Sequence, residues 1–210
     1  MKFFTLLFIC CPWISFVLHA QQRVVAECII NYAITSDPGN ADKDMMESLK
    51  QSTKTVYIKG NDSRTDLNSP SFSQSLIYNK NTGTAVVLRE FGNNKLMTRL
   101  DNGKWLKENK RFEGMTLSLL ADTKTILGYE CKKALIQLKD GNMFTVYYAT
   151  NIIPSVKEFE YPFKDVPGFV LEYEEQEAGN KKIKYTATKI NFNPVQASKF
   201  DIPVSGYRIY

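Results

Sequence analysis

From residue 24 onward, apolar and polar positions alternate in short runs, and turn-forming residues close most of them. Residues 24–35 place Cys28, Ile30, Tyr32 and Ile34 on one side of an extended chain, the two-residue period of a half-buried strand. Asp37-Pro-Gly-Asn40 ends it. Further strands are predicted over 54–59, 63–67, 74–78, 84–91 and 95–100, punctuated by Gly60-Asn-Asp62, Asn81-Thr-Gly83, Gly92-Asn-Asn94 and Asp101-Asn-Gly103. Such spacing predicts an antiparallel meander, a barrel or a strongly curved sheet. Residues 41–51 carry the one convincing helical pattern. Met45, Met46 and Leu49 recur at helical spacing, with Asp42 and Asp44 near the positive N-terminal end. This helix either packs on ordinary core or lids the curved sheet. Residues 105–112 are basic and amphipathic, and fit a strand or a loop.

The stretch 123–173 organises the remainder. Gly128 interrupts two β-rich segments and reads as a bulge, bend or tight turn. Segments 134–139 and 143–148 are rich in strand formers, and Asp140-Gly141 between them predicts a type I′ hairpin. The second strand carries bulk on both faces: Phe144, Val146 and Tyr148 on one, Met143, Thr145 and Tyr147 on the other. It is therefore covered twice or lines an apolar groove. Val166-Pro-Gly168 predicts a type II turn with positive φ at Gly168. After it, Phe169, Leu171 and Tyr173 alternate with a wetter face of Val170, Glu172 and Glu174. Residues 182–192 alternate in the same way, and Pro194 and Pro203 mark a loose C-terminal end.

These motifs resemble those of the GLPGLI family. Val166-Pro-Gly-Phe-Val170 is similar to the Leu-Pro-Gly-Leu-Ile core of the family's name, although Asp165 and Val166 replace its first Gly and Leu. Lys124-Thr-Ile-Leu-Gly-Tyr-Glu-Cys-Lys-Lys-Ala134 is similar to its Lys-x-Ile-x-Gly-Tyr-x-Cys-x-x-Ala segment. The run 144–149 and the ending Phe200-Asp-Ile-Pro-Val-Ser-Gly-Tyr207 fit as well. The motif residues are Gly128, Tyr129, Cys131, Ala134, Pro167, Gly168, Pro203, Gly206 and Tyr207, and their expected role is structural. The resemblance implies an exported protein of Bacteroidetes-type bacteria without an assigned activity. It also implies a mainly β fold, a single curved antiparallel sheet or LolA-like half-barrel with one short helix packed on it.

Lys2 followed by an apolar run to Leu18 has the layout of a secretory signal, with cleavage expected after Ala20. An uncleaved anchor is the rival; the run is short of a span of about 20 residues and is broken by Pro12. Cys10 and Cys11 lack the small preceding residue of a lipobox and read as part of the leader. Residues 21–210 then form one domain, exported to the periplasm, the outer-membrane surface or the medium. Cys28 and Cys131 are the cysteines left, either as a disulfide closing a loop on the order of 100 residues or as separate buried thiols. The formal net charge is +5 for the whole chain, a mild excess without a Lys/Arg block among stacking aromatics, so no nucleic-acid partner is expected.

Candidate chemistry is thin. The single histidine, His19, lies in the leader, so the chain beyond it has no His base, His triad or His metal ligand. Two distant cysteines do not make a zinc knuckle, and no cofactor motif is present. Glu172, Glu174, Glu175 and Glu177 cluster without a calcium-wrapping loop and read as a solvated strand end. Lys132 and Lys133 flank Cys131 without a legible catalytic geometry. What remains is an aromatic surplus: Tyr57, Tyr78, Phe91, Trp105, Phe144, Tyr147, Tyr148, Phe169 and Tyr173, all assigned to strands or strand ends. Most are expected to fill the core of one curved sheet. A concave apolar face is also a default ligand site. The expectation is a non-enzymatic envelope protein that binds a lipid, an acyl group or a lipidated protein, with no ligand contact assignable to particular residues. The alternative is a module that binds another envelope protein. In neither case is the protein integral to the membrane once the leader is removed.

Overall fold

The computed structural model describes residues 22–36, 43–176 and 182–210. Residues 1–21, read as a leader with its cleavage site, and 37–42, which include the turn expected at Asp37–Asn40, lie outside the described residues. So do Glu177 and the side chains of Met45 and Met46. The chain opens with β1 (Arg23–Val25) and β2 (Glu27–Ser36), then α1 (Lys43–Gln51). A meander follows: β3 (Thr53–Lys59), β4 (Asp62–Ser69), β5 (Phe72–Asn79), β6 (Thr84–Phe91) and β7 (Asn94–Leu100). After α2 (Asn102–Glu108) come β8 (Thr116–Ile126), β9 (Tyr129–Gln137), β10 (Met143–Ala149) and β11 (Ile152–Pro154). The last strands are β12 (Phe169–Gln176), β13 (Lys182–Asn191) and β14 (Arg208–Ile209).

Twelve strands form one sheet in the order β14-β7-β6-β5-β4-β3-β2-β13-β12-β10-β9-β8. Its pairs are antiparallel apart from β14 on β7. The short β1 pairs in parallel with β11 beside it. Within the order, β7 and β10 stand eight places apart, roughly 38 Å on a flat sheet at about 4.8 Å per strand. Yet Thr98 of β7 and Phe144 of β10 line one cavity of about 520 Å³. The sheet is therefore strongly curved, and its edge strands β14 and β8 do not meet, so it does not close. The fold is mainly β, as the strand spacing predicts.

Cys28, Ile30, Tyr32 and Ile34 are all buried, which confirms the predicted face of the first long strand. Elsewhere the local chemistry differs from expectation. The helix over 41–51 is not the only one: Asp101, read as a turn residue, is the N-cap of α2, its carboxylate accepting from the Lys104 N–H at 2.8 Å. Residues 105–112 are thus helical, continuing into a 3₁₀ turn at Lys110–Phe112. The Asp140-Gly141 link is a hairpin, but only Gly141 has positive φ, 88°. The Gly141 N–H donates to Leu138 O, and the Asp140 carboxylate accepts from the Asn142 N–H at 2.9 Å, a type I turn followed by a G1 bulge. Type I′ geometry belongs to Leu127-Gly128, with φ of 50° and 81°, which makes Gly128 the tight turn between β8 and β9.

The C-terminal end is not loose. Phe200, Ile202 and Tyr207 cover a second buried cluster of Ile77, Val86, Leu88 and Met97 on the outer face of the meander. Arg64 donates to Lys199 O at 2.8 Å, the Tyr207 hydroxyl donates to Glu90, and the Tyr210 N–H donates to Met97 O at 2.9 Å. Pro203 lies within this strap, and the positive φ of Gly206, 84°, precedes its pairing with β7.

Gly168 corrects the type II expectation, since its φ is not positive. It is required for close approach instead. A Cβ there would lie 2.2 Å from Ala149 O and 2.6 Å from Tyr148 Cδ2, where the chain enters β12 beside the end of β10. Backbone on a buried strand end cannot yield cheaply. Gly168→Ala is expected to destabilise the fold by roughly 2–3 kcal/mol in urea unfolding. Gly128→Ala meets no atom within 4 Å and should cost only the strain of positive φ, about 1 kcal/mol. Equal losses from the two variants would contradict this account.

Candidate functional site

The concave face is packed by two connections rather than by a second sheet. The link from β7 to β8 lays α2 across the concavity. Trp105, 6% exposed, stacks on Tyr78 of β5 with ring centroids 5.0 Å apart. The link from β11 to β12 carries 3₁₀ turns at Lys157–Phe159 and Tyr161–Phe163. Phe159 and Phe163 are fully buried; Phe159 contacts Phe169, and Phe163 contacts Tyr173 at 4.9 Å. Tyr161 meets Trp105 at 5.9 Å and Phe112 at 5.7 Å, and Phe112 meets Phe144 of β10 at 6.3 Å. A belt of rings, Tyr78–Trp105–Tyr161–Phe112–Phe144, therefore spans the curved sheet from wall to wall.

Beside this belt lies the cavity of about 520 Å³, within the usual 300–1,000 Å³ range of ligand pockets. Leu76, Val87 and Leu100 supply apolar floor, and Phe144, Phe163 and Tyr173 supply buried aromatic wall. Glu108, Arg111 and Tyr210 are exposed and form the rim. The expected lid over this face corresponds to α1, but among the described residues none of that helix lines the cavity; α2 and the Tyr161–Phe163 turn do so. The sequence signal missed was the Asp101 cap together with the seven-residue spacing of Trp105 and Phe112.

A buried cation lines the cavity. Lys54 of β3 is 7% exposed, pairs with Glu160 and donates to the Tyr173 hydroxyl. Its ammonium also lies over the rings of Tyr173 at 5.1 Å and Tyr185 at 4.8 Å. Burial pushes the phenol pKa values of Tyr173 and Tyr32 well above their ordinary value, so both stay neutral; the Tyr32 hydroxyl donates to Val170 O at 2.8 Å, and that of Tyr173 accepts from Lys54. Arg111 reaches Glu175 at 3.5 Å on the rim.

The acidic cluster does not form one solvated strand end. Glu175 faces the cavity, whereas Glu172 is buried on the opposite face of β12, 3% exposed. Both Glu172 oxygens accept from Lys124 at 2.8 Å, Thr186 donates at 2.9 Å, and Lys184 lies 3.6 Å away. The wet face expected of β12 is therefore a buried, compensated charge, with Val170 beside it also buried.

Among the described residues no group of His, Cys, Asp and Glu is placed to hold a metal ion, and no helix is long and apolar enough to cross a membrane. Cys28 and Cys131 are free, buried thiols on β2 and β9, with β13, β12 and β10 between those strands. Burial pushes the Cys28 thiol up to about 12 and Cys131 up to about 11, and thiols so raised are poor nucleophiles at neutral pH. The remaining motif residues fall outside the cavity lining. Tyr129 and Ala134 lie on β9, with Ala134 fully buried. Pro167 precedes the close approach at Gly168, its carbonyl accepting from Gln22 at 2.8 Å.

Fold and cavity together define an open, strongly curved β-sheet module with a single-sided pocket under packed connections. The chain belongs to the family described as the N-glycanase peptide, N-terminal domain, whose model matches residues 30–201. Among solved structures it is similar to PNGF-II, at 15% identity with a TM-score of 0.51 over 88% of this chain and 31% of that one. It thus spans about a third of PNGF-II, and the likeness is one of fold. MucB matches at 9% identity and a TM-score of 0.44 over 85% of this chain and 58% of that one. A LolA superfamily protein from Nitrosomonas europaea matches at 13% and 0.36, over 85% and 91%. No curated protein matches the sequence.

The compensated Glu172 generates a pH signature. Burial alone would raise its pKa; the hydrogen bonds from Lys124 and Thr186 and the charge of Lys184 outweigh it and hold the carboxyl below the ordinary 4.5. A depressed native pKa gives stability that is complete above the unfolded value and lost as pH falls through the native one. Glu172→Gln should therefore melt below the wild type at neutral pH, with the gap narrowing once pH drops under 4.5. A gap that stays constant through the acid range would contradict this.

Proposed function

We propose that this protein is a non-enzymatic, exported binding module of the cell envelope that holds an apolar ligand, a lipid or acyl group, in the cavity of its concave face. The observation that carries the reading is the cavity itself: aliphatic floor, aromatic walls and one exposed rim. Concave sites of this size are where small ligands bury most of their surface. The motif resemblance to GLPGLI proteins and the leader-like first 20 residues support export, with the periplasm as the leading location.

A second reading rests on the edge strand β8. It is eleven residues long, lies at the end of the sheet order, and leaves Leu119 56% exposed. An unpaired edge of this length is a template for strand addition by another envelope protein. Two features weigh against it: the register shift between Leu119 and Thr123 breaks the ladder, and Leu119 is the one large apolar side chain that β8 exposes.

Trp105 tests the first reading directly, because it lines the cavity and is the one tryptophan after residue 20. Titration with long-chain fatty acids and their neutral esters should produce a saturable change in its emission at about one ligand per chain. Leu76→Glu, a charge on the apolar floor, should weaken that binding at least about tenfold. Emission indifferent to every acyl compound would sink the proposal and leave the β8 edge to be tested by pull-down.

A further inference from the structure

An apolar cavity with charged residues in its wall selects more narrowly than by hydrophobicity, since each buried charge must meet a partner or pay for its desolvation. Lys54 is committed to Glu160 and Tyr173, and Arg111 to Glu175. Glu108 is exposed on α2, where water screens it. Arg89 differs from all of these. It stands half-buried on β6, two residues from Val87 on the same face, and lines the cavity. Its Nε donates to Gln74 Oε1 at 2.9 Å, and among the described residues no carboxylate pairs with its guanidinium. Gln74 thereby fixes the plane of the group and leaves Nη1 and Nη2, the fork that binds a carboxylate or phosphate with two parallel hydrogen bonds.

We propose that Arg89 is the anion-recognition residue of the cavity, and that the ligand is an amphipathic anion. Its apolar body lies along Leu76, Val87, Phe112 and Phe144, and its carboxylate or phosphate is held by Nη1 and Nη2 of Arg89. This rests on the apolar-ligand reading and narrows it to acyl compounds with a charged head. Gln74 is a positioning residue, and a neutral acyl ester leaves the arginine desolvated and unpaired.

The test uses four probes at a pH where carboxylates are ionised: dodecanoate, dodecyl phosphate, methyl dodecanoate and inorganic phosphate, each titrated calorimetrically. The wild type should bind both amphipathic anions about ten- to a hundredfold more tightly than the ester, the usual range for a hydrogen bond to a charged group. Inorganic phosphate should bind far more weakly than dodecyl phosphate. Arg89→Met, which keeps the apolar stem, should abolish the preference for anions with little effect on the ester. Arg89→Lys should retain part of it. Arg99→Met, on the opposite face of β7, should leave all affinities unchanged. Ester and acid binding equally to the wild type would overturn the inference without any variant, as would an undiminished anion preference in folded Arg89→Met. Inorganic phosphate as tight as dodecyl phosphate would overturn its amphipathic part. Binding of none of the acyl probes would instead defeat the apolar-ligand reading on which the inference stands.

Discussion

A single open sheet of twelve strands has one structural problem, which is its concave face. Strand pairing satisfies the backbone but does nothing for the side chains pointing into the curve. Among the described residues no second sheet or long helix covers them. The chain instead sends two connections across the concavity and ties them with rings, and the Tyr78–Trp105–Tyr161–Phe112–Phe144 belt joins β5 to β10 through α2 and the Tyr161–Phe163 turn. Paired rings at these separations add about 0.5–1.5 kcal/mol each beyond their burial. The belt therefore helps hold the curvature as well as filling space.

The same packing explains why a cavity survives. Aromatic rings on short 3₁₀ turns reach the centre of the curve and stop there. Phe159 and Phe163 complete the core against Phe169 and Tyr173. Past them, the row containing Lys54, Gln74 and Arg89 lies on the same face but under no connection dense enough to seal it. Charges are tolerated at that level because two are internally compensated. Lys54 is caged by Tyr173, Tyr185 and Glu160, and Arg111 is answered by Glu175. On the outer face, Lys124, Thr186 and Lys184 do the same for Glu172. Lys54, Arg111 and Glu172 are each met by an opposite charge, whereas among the described residues no carboxylate pairs with the guanidinium of Arg89, whose Nε donates to Gln74.

The meander was legible in the sequence because the period-two alternation and the Gly-Asn turns gave the same answer at each step, as at Cys28–Ile34 and Gly60-Asn61. Reading failed where one residue serves two turn chemistries. Asp101-Asn-Gly103 looks like a hairpin turn, yet Asp101 starts a helix. Asp140-Gly141 favours type I′, yet the turn is type I with a bulge, the Asp140 carboxylate accepting from the Asn142 N–H. Gly168 looks conformational, yet it answers a steric demand from Ala149 that exists only in three dimensions. The cavity was foreseeable only as a concave apolar face. Its walls come from strands distant in sequence, and its belt from the 105–112 segment, which fitted a strand or a loop. Glu172 shows the same limit, because a buried carboxylate and a solvated one have the same letter until their lysines are placed.

The central claim, that the space beside the aromatic belt is a ligand site, is tested most directly by native mass spectrometry of the protein purified from a bacterial envelope, followed by solvent extraction. The account predicts a bound species of defined mass, carrying an acyl chain and an acidic group, released on denaturation and absent when Leu76→Glu is purified in the same way. A protein that is empty as isolated, and stays empty after incubation with acyl anions, would contradict it.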